Sequence, residues 1–224
     1  MNTPHTYASY KTVQHNYINQ LPTDWQLLPN IAIFEERIER GHDNQQLLSV
    51  TIGRGIIKQT EIEIKKDSSN ENKSNYKLVE TGDIAYNKMR MWQGAVGYSQ
   101  YTGIVSPAYI VIKPRVEINP HFFHYLFRAD FYTKYCHRFS YGIVDDQLSL
   151  RYQDFKRLQS PVPPITTQNQ IANYLNHQNQ LIDNFIKNKQ QLIQLLEERK
   201  DRSVEQLITK GLNNNCLRSE ERRV

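Results

Sequence analysis

The chain has 224 residues, 38% of them hydrophobic, with 28 Lys and Arg against 23 Asp and Glu for a net charge of +5. That length suits one domain or two small ones, no apolar run reaches the roughly 18 residues of a membrane span, and Met1-Asn2-Thr3-Pro4-His5 lacks the basic flank and apolar core of a secretion signal. Two cysteines far apart, Cys136 and Cys216, exclude a disulfide framework and a cysteine metal site and fit a reducing cytoplasm. The small basic excess is compatible with nucleic acid without establishing it.

In chain order, residues 1–20 are polar and read as an irregular or extended arm. Leu21-Pro22-Thr23-Asp24-Trp25 is a turn with an anchoring tryptophan, and Ile31 to Ile38 starts a short helix or strand. Leu47 to Thr51 is apolar and β-branched, a strand pattern, and Gly53-Arg54-Gly55 turns after it. Residues 66–75 contain no apolar member and read as a loop. Ile84-Ala85-Tyr86, Gly94 to Tyr98 and Ala108 to Ile112 are short strands between glycine turns, which predicts a compact, curved sheet. Asn119-Pro120 opens a helix with Phe122, Phe123, Leu126 and Phe127 on one stripe. Tyr141 to Leu150 is a second β-type segment, leading to Pro161-Val162-Pro163-Pro164.

From Thr167 to Lys210 there is neither proline nor glycine, and Gly211 ends the run. Thr167 with Gln170 reads as a capping box and Gly211 as a C-cap. At 1.5 Å per residue the helix is roughly 65 Å long, which overshoots a body whose radius of gyration scales to about 15 Å. Ile171, Leu175, Gln178, Ile182, Phe185, Lys189, Leu192, Leu196 and Arg199 follow the alternating spacing of a coiled-coil seam, imperfect at its polar members. The fold class is therefore α+β: a globular, β-rich body with short helices, then a long coiled-coil-like α-helix. Domain bounds fall at 1–165 for the body, 166–211 for the helix and 212–224 for an irregular tail.

Four stretches carry a family resemblance. They are Leu21 to Trp25; Gly82-Asp83-Ile84-Ala85-Tyr86-Asn87-Lys88-Met89-Arg90 continuing through Gly94 to Ser106-Pro107-Ala108-Tyr109; Gln147 to Leu150 through Asp154-Phe155 to Pro163-Pro164-Ile165; and Gln170-Ile171-Ala172 through Ile182-Asp183, Glu198-Arg199-Lys200 and Leu207 to Gly211. In this order the chain resembles half of the specificity subunit of Type I restriction–modification enzymes. That family carries two target recognition domains and two long conserved helices in head-to-tail repeat. The charged tail after Leu212 departs from the family's linker into a second domain, so two-half function would need two copies.

The resemblance implies a non-catalytic, cytoplasmic subunit that reads one half-site of double-stranded DNA. It would dock the methyltransferase (M) and restriction (R) subunits, self-associate through the long helix, and need no cofactor and no membrane. Base edges specify and phosphates position, with Arg or Lys favoured on guanine and Asn or Gln on adenine. The candidates for DNA contact are Arg54 between its glycines, where a close backbone approach is possible; Lys58 and the basic stretch with Lys65, Lys66 and Lys73; Lys88, Arg90 and Gln93 around Met89, Met91 and Trp92; and Tyr141. Each has a plainer reading as a surface turn, a solvated charge or support for the fold. Ile171, Leu175, Ile182, Phe185, Leu192 and Leu196 are the candidates for partner contact along the helix.

The competing reading is an enzyme. Glu63-Ile64-Lys65 has the form of half a nuclease metal site, with Asp43 as the upstream acid, and His121 and His124 are spaced as a possible metal pair. No methyltransferase Asn-Pro-Pro-Tyr or Asp-Pro-Pro-Tyr motif and no phosphate-binding glycine loop occur in the sequence. A coiled-coil adaptor without a DNA role would leave the Gly82–Tyr109 region without a purpose.

Overall fold

The computed structural model describes residues 7–62, 73–144 and 147–211. The chain divides into two units, Met1–Ala172 and Asn173–Val224.

The first unit opens with a hairpin of β1 (Tyr10–Thr12) and β2 (Gln20–Pro22), so part of the polar arm is ordered as strands. β3 (Gln26–Pro29), the short α1 (Asn30–Ile33) and β4 (Phe34–Arg37) follow; Ile31 to Ile38 thus contributes both a helical turn and a strand. Next come β5 (Leu48–Thr51), β6 (Gly55–Lys58), β7 (Lys77–Val79), β8 (Ile84–Asn87), β9 (Val96–Tyr98), β10 (Gly103–Val105) and β11 (Tyr109–Pro114). The helices α2 (Pro120–Arg128), α3 (Asp130–Arg138) and α4 (Tyr152–Phe155) precede β12 (Gln159–Val162) and α5 (Ile165–Lys210).

The central sheet is antiparallel, in the order β4-β11-β8-β9. Its register sets Val111 opposite Ala85 and Arg37, and Ile112 opposite Ile84 and Glu36. Successive side chains on a strand point to opposite faces. Ile84, Tyr86, Ile110 and Ile112 therefore face α2 and α3, with Phe123, Phe127 and Tyr132. Ala85 and Val111 face the other way, into a smaller core with Leu48, Val50, Ile56, Val79 and Val105. Both faces of the sheet are covered, which is why β8 and β11 read as unbroken apolar runs instead of alternating ones.

Two polar arrangements pin this core. Arg37, 9% exposed, donates to Asp83 (2.7 Å) and to Glu39 and Glu80, tying the Gly82-Asp83 turn to β4. Removing one partner of such a buried pair costs about 3–5 kcal/mol, because the other charge stays buried. Asn30 Nδ2 donates to the Tyr132 hydroxyl at 2.9 Å and Oδ1 accepts from Ser160 at 2.6 Å, joining α1, α3 and β12.

α2 begins as its sequence predicts: the Asn119 side chain accepts from the His121 and Phe122 amides, and Pro120 occupies the first helical position. α5 does not begin as its sequence predicts. It starts at Ile165, directly after the prolines, so Thr167 lies within the first turn and is not its N-cap. Gln168 is the buried residue there, accepting from the Asn119 amide (2.9 Å) and donating to the Pro163 carbonyl (2.9 Å). The far end follows expectation: Gly211 is left-handed (φ +74°) and its amide donates to Leu207 O at 3.0 Å. Among the described residues of Tyr141 to Leu150 no strand forms, and Tyr141 pairs with Ser149 in a single antiparallel bridge. Among the described residues no helix is long and apolar enough to cross a membrane.

In the second unit, α5 continues from Asn173 to Lys210 with its side chains exposed throughout after Gln178.

Candidate nucleic-acid interface

Residues 88–93 form a tight turn between β8 and β9, and its chemistry follows from which side chains are anchors. The Asn87 side chain accepts from the Met89 amide at 2.9 Å, Arg90 N–H donates to Asn87 O at 3.0 Å, and a 3-10 turn, Met91–Gln93, closes on left-handed Gly94 (φ +81°). Met91 is fully buried. Trp92 is half-buried, its Nε1 donating to Met89 O at 3.1 Å and its ring edge-on to His137 at 5.2 Å. With Met91 and Trp92 holding the turn from inside, Arg90 and Gln93 are left exposed and Lys88 half-exposed. Met91 and Trp92 are support, and Arg90 and Gln93 project from it together with exposed Met89.

This turn sits in a positive neighbourhood that sequence reasoning did not find. Lys77 is buried, its ammonium donating to Tyr109 O at 3.0 Å and lying 3.5 Å from Glu36. Burial lowers its pKa, Glu36 opposes this, and the charges of Arg40 and Lys88 lower it further. Burial raises the Tyr109 hydroxyl, and the Arg90 charge works against that rise. Arg40, Lys77, Lys88 and Arg90 are thus close enough to act on one region. Lys77 was hidden because it reaches the turn only through its bond to Tyr109 O, which the β8–β11 pairing sets opposite Asn87.

Tyr141 joins the same neighbourhood. Its N–H donates to Ser149 O (3.1 Å), Ser149 N–H donates back (2.9 Å), and the next amide, Leu150 N–H, donates to Lys88 O at 2.7 Å. Its side chain is 66% exposed.

Arg54 and Lys58 belong to a different element, one at each end of β6. Arg54 is exposed at the hairpin tip, its amide donating to Thr51 Oγ1 (3.0 Å) and its guanidinium to Glu61 O (3.3 Å). The flanking glycines do not both offer an open backbone. Gly55 (φ +73°) is packed, since a Cβ there would meet His124 Cε1 at 2.9 Å, whereas Gly53 faces open space. The tip is held by Arg128, whose guanidinium donates to Ile52 O and Gly53 O at 2.5 and 2.6 Å. Lys58 lies 4.7 Å over the Tyr101 ring and, with Lys73, Gln46 and Thr60, lines a groove of about 440 Å³.

Lys65, Lys66 and the nuclease pair Glu63 and Lys65 lie outside the described residues. Asp43 is exposed in a turn. His121 and His124 pack as rings, with centroids 3.9 and 5.9 Å from Tyr98. Burial, reinforced by Arg128 and His121, holds the His124 pKa down to about 4.

Along α5, Ile171 packs against the body core and Leu175 is half-buried. Ile182 (54% exposed), Phe185 (61%), Leu192 (46%) and Leu196 (53%) are open, with Leu181, Ile186, Ile193 and Leu195 on their flanks. At about 100° per residue this apolar band is wider than the narrow seam of a two-helix coiled coil.

No family model matches the chain. It is 27% identical over 212 residues to a relative from Methanocaldococcus jannaschii whose assigned name is type I restriction enzyme MjaX specificity subunit, a match covering 87% of this chain and 48% of the relative. The fold is similar to that of the HsdS subunit from Thermoanaerobacter tengcongensis (TM-score 0.51, 16% identity), with 91% of this chain and 50% of that one covered. It is also similar to a chain from a structural study of complex assembly and conformational transition in the type I R-M system (TM-score 0.54, 14% identity), covering 87% of this chain and 50% of that one. The chain spans about half the length of the relatives it matches.

Proposed function

We propose, from the premise that this chain is a relative of type I restriction enzyme specificity subunits spanning half their length, that it reads one half-site of duplex DNA in the cytoplasm and has no catalytic role of its own. Its partners in this reading are a DNA adenine methyltransferase subunit, a restriction subunit and a second copy of the chain. The observation that carries it is the anchored turn: Arg90 and Gln93 project from a support of buried Met91 and half-buried Trp92, beside Lys77, Arg40 and Lys88. Such a turn offers cations to phosphates and an amide to a base edge from one rigid base. The wide exposed apolar band of α5 supports contact with more than one helix, which suits self-association together with methyltransferase docking. The nuclease alternative has no support from the relatives, which are specificity subunits.

The test is selection from a pool of random duplexes by the purified chain at moderate salt. Enrichment of a split site with inverted halves is expected for a paired reader. Retention of duplexes without any enriched sequence would overturn the reading.

A further inference from the structure

Among the described residues the most exposed large apolar side chain is Ile143, at 93%, and beside it Tyr141 is 66% and Val144 54% exposed. Adjoining apolar side chains held in water mark a contact surface more often than a scattered single residue does.

The neck below this tip is tightly closed. Tyr141 and Ser149 exchange both backbone hydrogen bonds, and a Cβ on Gly142 would lie 2.7 Å from the backbone of Gln147. One arm continues to Leu150, bonded to Lys88 O. The other arm comes from the end of α3, where His137 meets Trp92. The neck is therefore fixed next to the 88–93 turn, which carries exposed Arg90; Arg138 and Arg151, also exposed, stand within three residues of Tyr141 and Ser149 in the chain.

We infer that Tyr141–Val144 is a wedge that enters the duplex, with the Ile143 side chain inserted at a base step and Tyr141 covering the unstacked base. Apolar wedges flanked by Arg and Lys are the chemistry by which proteins open a base step while holding the adjacent phosphates. The inference rests on the DNA-reading function above and names the group that performs part of it.

The experiment uses the full chain and a duplex it selects from the random pool, with 2-aminopurine placed at successive positions. The parent raises the fluorescence at one step as that step unstacks. Ile143→Ala abolishes the rise and weakens binding roughly tenfold with its salt dependence unchanged, since no phosphate contact is lost. Thermal melting of the variant matches the parent because the side chain is exposed, and Val116→Ala, another exposed apolar position, leaves binding and fluorescence alone. A parent that unstacks no position, or an Ile143→Ala variant that binds and unstacks as the parent does, overturns the wedge; the second result is also what a protein-docking role for the tip gives. A parent that retains no duplex at any salt concentration overturns the DNA reading and the wedge together, which separates the two failures.

Discussion

Gly97 and Gly55 meet backbone to backbone: a Cβ on Gly97 would lie 2.8 Å from Gly55 Cα and 2.9 Å from the Ile56 amide nitrogen. The hairpin that carries Arg54 is seated on β9 through this contact. Gly97→Ala must push β6 away from β9, and overpacking of this kind costs about 1–3 kcal/mol. Chemical denaturation measures the loss; an unchanged midpoint would show that the hairpin moves freely on the sheet.

Arg90 and Gln93 should separate in their effects on binding. If Arg90 meets a phosphate, Arg90→Ala weakens binding to all duplexes about equally and lowers the salt slope by about 1. If Gln93 meets a base edge, Gln93→Ala relaxes preference at one position, by about 1–3 kcal/mol of discrimination. Titrations of the selected duplex and of single-base variants, each at several salt concentrations, distinguish the two behaviours.

The exposed stripe of α5 should hold copies together. Phe185→Asp with Leu192→Asp places charge in the apolar band and is expected to convert a dimer to monomer in light scattering, leaving the near-ultraviolet dichroism of the body unchanged. A dimer that persists in the double variant would locate the contact in the body instead.

Stability should depend on pH through His124. Its folded pKa, about 4, lies below the ordinary value of 6.5, so between these limits the unfolded chain binds more protons than the folded one. Stability contributed by the neutral ring is full above pH 6.5 and is lost as pH falls toward about 4, on the order of 3 kcal/mol in all. His124→Gln should flatten the stability profile in that window, whatever it does to stability at neutral pH.

Much of the fold was legible because local chemistry agreed with tertiary structure. Asn119-Pro120 is both a sequence signal and the observed cap of α2, and Gly211 is both the predicted and the observed end of α5. Where the two disagreed, a distant partner decided. Thr167 looked like a cap, but the helix starts against the prolines and Gln168 bonds to Asn119 across the body. α3 was missed because its buried residues, Tyr132, Tyr135 and Cys136, are aromatic and polar-tipped instead of aliphatic, and Tyr132 is satisfied only by Asn30 and Ser160 far along the chain. At the site, Lys88, Arg90 and Gln93 could be singled out as a basic cluster. That Met91 is their anchor, that Tyr141 belongs beside them, and that Lys77 adds to the charge depended on strand pairing no local pattern reveals.

β12 pairs with β3, placing Ser160 opposite Leu28. The two flanks of the segment between these residues thus meet in one two-strand pairing, and the packing of Trp25, Ile171 and Ala172 on its core and the Gln168–Asn119 bond hold it as well. Adjacent ends are the geometry that tolerates replacement of what lies between them. The segment between Leu28 and Ser160 is in that sense a cartridge: a different insert with the same two ends could be seated between the same flanking strands.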